Sequence, residues 1–93
     1  MLRMTLNIKG RVQKVGYRYS VANYIEESGH QVTGLVRNLP DGSVEVIAEG
    51  ELEDLKALHR FCLKGPPKSE VREINQEIEP INSRKYSDFR ITA

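Results

Sequence analysis

Three basic side chains cluster in one short segment, and their position suggests that the segment binds an anion. Residues 10–18, GRVQKVGYR, contain Arg11, Lys14 and Arg18 and no acidic residue. The segment lies between a predicted strand and a predicted helix. A helix N-terminus carries about half a positive charge, so that a basic side chain there is unfavourable by about 0.3–1 kcal/mol. An external anion that completes the site would explain the pattern.

The backbone of this segment offers suitable donors for such an anion. Free N–H groups of the loop and of the first helical residues would point at it. Gly10 and Gly16 would let the backbone turn tightly, and the guanidinium of Arg18 offers a planar fork that suits a phosphoryl group. The alternative interpretation is that the three charges are solvated surface groups.

The distribution of charge favours a local site over a broad basic surface. Five of the 14 basic residues lie among the first 25 residues, where no acid occurs, whereas the rest of the chain carries more acids than bases. A nucleic-acid-binding domain would spread its positive charge more widely. We therefore expect no nucleic-acid partner.

The hydrophobic pattern predicts two helices and five strands around the segment. Period-2 alternation and turn residues indicate strands at residues 4–10, 30–39, 43–50, 70–80 and 88–93, and apolar residues at helical spacing indicate helices at residues 17–29 and 51–65. The order β-α-β-β-α-β, with a short extra strand, is that of the α+β ferredoxin-like fold. We expect two helices on one face of a four- or five-stranded, mainly antiparallel sheet. Imperfect alternation in residues 70–80 predicts a bulge or bend.

Length and composition limit the other possibilities. The 93 residues fit one domain, residues 1–93, and a monomer is the default expectation. We find no apolar run of membrane-spanning or signal-peptide length, so that we expect a cytoplasmic chain without a membrane partner. The lone Cys62 excludes an internal disulfide framework and a cysteine-based zinc site, and is predicted to be a small buried residue. His30 and His59 belong to no metal-ligand pattern, and we predict neither metal nor cofactor.

Two longer motifs resemble those of the acylphosphatase family. The segment GRVQKVGYR is similar to its first signature, Gly-x-Val-Gln-Gly-Val-x-Phe/Tyr-Arg, and GLVRNLPDGSVEV at residues 34–46 is similar to its second. The segments GPP at residues 65–67 and YSDFRI at residues 86–91 also resemble the family. The resemblance covers nearly the whole chain. It implies the same ferredoxin-like fold and the metal-free hydrolysis of small acyl phosphates to a carboxylate and inorganic phosphate.

The resemblance also implies which residues form the site. Arg18 and Asn38 correspond to the catalytic arginine and asparagine of the family. The phosphate-binding loop corresponds to Gln13, Lys14, Val15, Gly16, Tyr17 and Arg18, and inorganic phosphate or sulfate is an expected ligand. In this chemistry the loop amides and Arg18 would neutralise the phosphoryl oxygens, while the side-chain amide of Asn38 would hold the water. Alternatively, Asn38 only caps the adjacent Leu-Pro-Asp-Gly bend.

One position departs from the family pattern and leaves a second hypothesis open. Lys14 stands where the first signature usually has glycine, and a lysine costs about 1–2 kcal/mol if that position requires a positive φ. The chain could then be a catalytically impaired anion-binding module of the same fold. Alternatively, the Lys14 ammonium could add to the affinity for phosphate. A third possibility, RNA binding through the aromatic residues of KVGYRYSV, is disfavoured because the segment enters a helix and is not a central strand.

Overall fold

The computed structural model describes residues 1–92 and shows two helices packed on a five-stranded sheet. The elements are β1 (Leu2–Arg11), α1 (Tyr17–Ser28), β2 (Thr33–Asn38), β3 (Val44–Gly50), α2 (Leu52–Lys64), β4 (Glu70–Pro80) and β5 (Phe89–Thr92). This order confirms the predicted ferredoxin-like arrangement. The predicted strand at residues 30–39 is shorter in the structure, where residues 30–32 and Leu39 lie outside β2. The last position of the strand predicted at residues 88–93 lies outside the described residues.

The strands lie in the order β4-β1-β3-β2-β5. β1 pairs antiparallel with β3 and β4, and β2 pairs antiparallel with β3. β5 runs parallel to β2, with Phe89 opposite Gly34 and Thr92 opposite Arg37. The sheet is therefore mixed and mainly antiparallel, and the last strand forms one of its edges.

The core lies between the sheet and the helices. Alternate residues of β1 and β3 are buried there with one face of each helix; among them are Met4, Leu6, Ile8, Val44, Val46, Val21, Leu55 and Leu58. Tyr17, the first residue of α1, is also buried, and its hydroxyl donates a hydrogen bond to the backbone oxygen of Cys62 at 2.5 Å. This bond ties the start of α1 to the end of α2. Cys62 is buried as predicted, and its burial raises the pKa of the thiol to about 12.

Gly10 lies inside β1, which agrees with the strand predicted at residues 4–10 and not with the tight turn expected at this glycine. The pairing of β1 with β4 skips one residue, Arg72, next to Gly10. This is the bulge that the imperfect alternation of β4 predicts. Gly10 has a φ of 131°, and a Cβ atom there would lie 2.1 Å from the backbone oxygen of Glu70. The glycine therefore allows the close approach of the two strands at the bulge.

A buried carboxylate fastens the long connection between the two edge strands. The side chain of Glu49, at the end of β3, is fully buried and accepts hydrogen bonds from the backbone N–H groups of Lys85 (2.8 Å) and Tyr86 (3.2 Å). It also pairs with the guanidinium of Arg3 at 2.8 Å. Burial by itself would raise the pKa of Glu49, but the N–H of Tyr86, the Arg3 guanidinium and the N–H of Lys85 together lower it. The ionised form thus holds residues 81–88 against the sheet.

We predict that this carboxylate makes the stability of the fold depend on acid pH. Because the folded-state pKa of Glu49 lies below its ordinary value of 4.5, its contribution is present above that pH and is lost as the pH falls through the folded-state pKa. Glu49→Gln should be less stable than the wild type at pH 7 by roughly 2–3 kcal/mol. In urea unfolding at several pH values, this difference should shrink below pH 4.5.

Glu27→Gln, which alters an exposed carboxylate of α1, is the matched control. Its free energy of unfolding should stay close to that of the wild type at every pH. A constant difference between Glu49→Gln and the wild type over the whole acid range would contradict the role given to the ionised carboxylate.

Candidate functional site

Residues 12–18, which we call the cradle, lead from the end of β1 into the first turn of α1. Two of them have left-handed backbone conformations, Lys14 with a φ of 63° and Gly16 with a φ of 80°. Gly16 is the N-cap residue of α1, where no side chain makes a capping hydrogen bond, and the first turn contains no acidic residue. The amide N–H groups of this turn are thus free of side-chain acceptors from the described residues. An uncapped helix N-terminus of this kind is a ready site for an anion.

Arg18 lies in the first turn of α1, and the last strand holds its side chain. Its Nη1 atom donates a hydrogen bond to the backbone oxygen of Thr92 at 3.0 Å, at the end of β5. Within residues 1–92 no carboxylate lies close enough to form an ion pair with Arg18. The guanidinium is therefore oriented by a neutral carbonyl group.

A small cavity of about 200 Å³ lies between the cradle and Asn38 at the end of β2. It is lined by Val12, Lys14, Gly16, Tyr17, Arg18, Tyr19 and Asn38. Arg18 and Asn38, the two predicted catalytic residues, thus line the same cavity although they come from α1 and β2. Of the predicted phosphate-binding residues, Gln13 and Val15 do not line it. Val12 and Tyr19 line the cavity without a role predicted from the sequence, although both lie within three residues of Lys14 or Arg18.

The side chain of Asn38 ends in an unpaired acceptor. Its Oδ1 atom is buried and has no hydrogen-bond partner among residues 1–92. Leaving a buried acceptor unpaired costs about 1–3 kcal/mol. A donor supplied from outside the chain, such as a water molecule, would satisfy this atom.

The bend that follows Asn38 is capped by another residue. The carboxylate of Asp41 accepts hydrogen bonds from the hydroxyl (2.6 Å) and the backbone N–H (2.9 Å) of Ser43. These two bonds lower the pKa of Asp41, and the hydroxyl has the larger effect. The capping role that was the alternative for Asn38 thus belongs to Asp41.

Gln13 points towards the turn between β2 and β3. Its Nε2 atom donates to the backbone oxygens of Leu39 and Ser43, each at 2.9 Å. The assignment of Gln13 to the phosphate-binding loop stays a prediction. Only the main-chain N–H of Gln13 could bind phosphate, because its side-chain amide already donates both of its hydrogens. The sequence carries no local signal for this contact, since the partners lie 26 and 30 residues away.

Two further observations concern the described part of the chain only. Residues 1–92 contain no group of three or more His, Cys, Asp or Glu side chains arranged to hold a metal ion. None of the helices in this range is long and apolar enough to cross a membrane.

Comparison with known proteins places these features in a family. The family model named Acylphosphatase matches residues 4–91. The chain is 46% identical over 90 residues to an acylphosphatase of Marinobacter nauticus, a match that covers 97% of this chain and 95% of that protein. The fold is similar to the crystal structure of acylphosphatase from Bacillus subtilis, with a TM-score of 0.90, 32% identity and complete coverage of both chains.

A second solved structure supports the same assignment. An acylphosphatase from Coxiella burnetii has a TM-score of 0.84 and 38% identity, and the match covers 97% of this chain and 90% of that one. These matches confirm the enzyme class that the two sequence motifs predict. On sequence and fold together, the chain belongs to the acylphosphatase family.

Proposed function

We propose that the cavity between the cradle and the end of β2 hydrolyses small acyl phosphates to a carboxylate and inorganic phosphate. One observation carries the proposal: the cavity combines the guanidinium of Arg18 with the buried acceptor Asn38 Oδ1 at the N-terminus of α1, and within residues 1–92 the guanidinium has no carboxylate partner, the acceptor no donor and the helix no side-chain cap. Arg18 and the helix N-terminus bind a phosphoryl group. Asn38 Oδ1 can hold a water molecule next to it.

An acyl phosphate is a mixed anhydride with a good carboxylate leaving group. The enzyme therefore has to neutralise the phosphoryl oxygens and place a water in line with the bond that breaks. The N–H groups of the cradle and the guanidinium of Arg18 bind the phosphoryl oxygens. These donors are fixed before the substrate arrives, so that they stabilise the charge of the transition state without reorganisation.

Asn38 orients the attacking water in this mechanism. Its Oδ1 atom accepts a hydrogen bond from the water, which directs a lone pair of the water oxygen towards phosphorus. The new P–O bond forms while the bond between phosphorus and the acyl oxygen breaks, and the carboxylate leaves with the electron pair. The proton of the water passes to a phosphoryl oxygen of the substrate, so that the cavity needs no side-chain base.

We expect benzoyl phosphate to be hydrolysed at the same rate with and without EDTA, since the groups assigned to phosphoryl binding are amides and a guanidinium. Inorganic phosphate should inhibit competitively, because it occupies the same donors. Initial rates measured with and without EDTA at several phosphate concentrations test both points. A rate that EDTA abolishes and Mg²⁺ restores, or phosphate inhibition that leaves KM unchanged, would speak against the proposed mechanism.

Replacement of Arg18 should remove binding and turnover together. In Arg18→Gln the cavity loses its charged donor, and we expect neither detectable phosphate inhibition nor hydrolysis above the uncatalysed rate. Arg11→Gln is the matched control, since Arg11 is an exposed arginine that does not line the cavity. It should keep the kcat and the phosphate inhibition constant of the wild type.

Replacement of Asn38 should separate binding from turnover. Asn38→Ala removes the acceptor for the water and leaves the cradle intact, so that phosphate inhibition should persist while kcat falls by a factor on the order of 10²–10³. Steady-state kinetics with phosphate as the inhibitor measures both quantities. An Asn38→Ala variant with full turnover would show that another group positions the water.

Lys14 tests the alternative that the chain is an impaired anion-binding module. Because Lys14 has a φ of 63°, which glycine adopts without strain, Lys14→Gly should raise the free energy of unfolding by about 0.5–1 kcal/mol. Loss of the ammonium from the cavity should weaken phosphate inhibition about two- to fivefold, the size of an exposed ion pair. Urea unfolding and inhibition kinetics measure the two effects. If the wild type binds phosphate without hydrolysis and Lys14→Gly gains activity, the impaired module is the correct description.

The proposed site needs only one copy of the chain. The cavity, the carbonyl group that holds Arg18 and the turn that supports Asn38 all come from the same chain. We therefore propose that the enzyme acts as a monomer.

A further inference from the structure

The side chain of Gln13 connects the two halves of the proposed site, and this connection has a consequence for the water. Gln13 belongs to the cradle, and the backbone oxygens that it binds, those of Leu39 and Ser43, belong to the turn at residues 39–43. A glutamine amide has two N–H hydrogens, so that this pair of bonds uses its whole donor capacity. Both distances, 2.9 Å, are ordinary for an N–H···O hydrogen bond.

The turn itself is built around the same two carbonyl groups. The N–H of Leu39 donates to the oxygen of Ser43 at 2.8 Å, and the N–H of Gly42 donates to the oxygen of Leu39 at 3.1 Å. Each carbonyl oxygen is thus shared between a turn amide and Gln13. Asn38 directly precedes Leu39, so that these bonds set the orientation of the chain where the Asn38 side chain leaves it.

The ladder between β1 and β3 does not extend into this connection. The pairing of β1 with β3 ends at Ile8 and Val44, before the cradle and the turn begin. Within residues 1–92, the two bonds of Gln13 are the only side-chain hydrogen bonds that join the cradle to residues 39–43. Beyond the end of the β1–β3 ladder, Gln13 is therefore the direct side-chain link between the cradle and the turn that follows Asn38. It acts beside the pairing of Asn38 with Val44 and the bond from Arg18 to Thr92.

We propose that Gln13 is a positioning residue, which holds Asn38 Oδ1 at the place where its water lies in line with the leaving carboxylate oxygen. The inference rests on the proposed function, in which Asn38 orients the water. Its physical basis is the steep dependence of an in-line displacement on geometry, where a misplacement of about 1 Å can cost on the order of 10²-fold in rate. The side chain of Gln13 touches neither the phosphoryl group nor the water.

The first test replaces Gln13 by a residue of similar length without donors. In Gln13→Met, kcat for benzoyl phosphate should fall about 10- to 100-fold, and the inhibition constant of inorganic phosphate should change less than about twofold, since the cradle keeps its amides and Arg18. Weakened phosphate binding in step with the loss of kcat would overturn the proposal, because Gln13 would then act on the cradle. An unchanged kcat would overturn it as well.

The second test asks whether Gln13 acts through Asn38. In the Asn38→Ala background, Gln13→Met should lower kcat by no more than about twofold, because there is no acceptor left to position. If Gln13→Met lowers kcat by the same factor in both backgrounds, the inference is wrong while the proposed role of Asn38 stands. If Asn38→Ala alone has no effect on kcat, the proposed role of Asn38 fails and the inference fails with it.

A third variant covers the case that the methionine disturbs folding. Gln13→Glu keeps the shape of the side chain, but its carboxylate cannot donate to the two carbonyl oxygens at neutral pH. The protonated carboxyl group can donate one bond, so that kcat relative to the wild type should recover in part as the pH is lowered through the pKa of the new group. A ratio of kcat values that does not change with pH would contradict the proposal.

Discussion

The start of α1 is the constraint on which the site depends. Within residues 1–92 its first turn has no side-chain cap, and Arg18 adds a positive charge where the helix dipole is already positive. Both features are unfavourable by themselves, the missing cap at Gly16 by a few tenths of a kcal/mol and the charge by about 0.3–1 kcal/mol. The helix cannot shift to relieve them, because Tyr17 is buried and bonded to the backbone of Cys62. The packed core thus preserves a helix start that the proposed binding of an anion would stabilise.

The edge of the sheet completes this arrangement. The chain leaves β4 at one edge, is fastened by Glu49, and returns as β5 beside β2 at the other edge. The parallel register places Thr92 opposite Arg37, at the end of the sheet where Asn38 lies, and the backbone oxygen of Thr92 holds Arg18. Attachment of the last strand and orientation of the Arg18 guanidinium are therefore coupled.

The backbone conformation of Lys14 in the cradle is one that residues with a side chain disfavour. Its φ of 63° is one that side-chain-bearing residues avoid, at a cost of about 1–2 kcal/mol. The cradle keeps the same left-handed conformation that glycine would adopt without strain. The chain carries this cost as reduced stability.

The sequence alone determined the element order, the β2–β3 hairpin, the local cluster of positive charge and, through its two motifs, the family. These features are readable because periodicity, turn residues and charge are properties of neighbouring residues. Only the tertiary structure decided that Gly10 accommodates the bulge of β4, that Gln13 binds the β2–β3 turn, and that Thr92 holds Arg18, a contact between residues 74 positions apart. Every residue carries the same backbone carbonyl group, so that the sequence does not show which carbonyl oxygen accepts a hydrogen bond from a distant side chain. The topology decides this, because it brings the distant segments together.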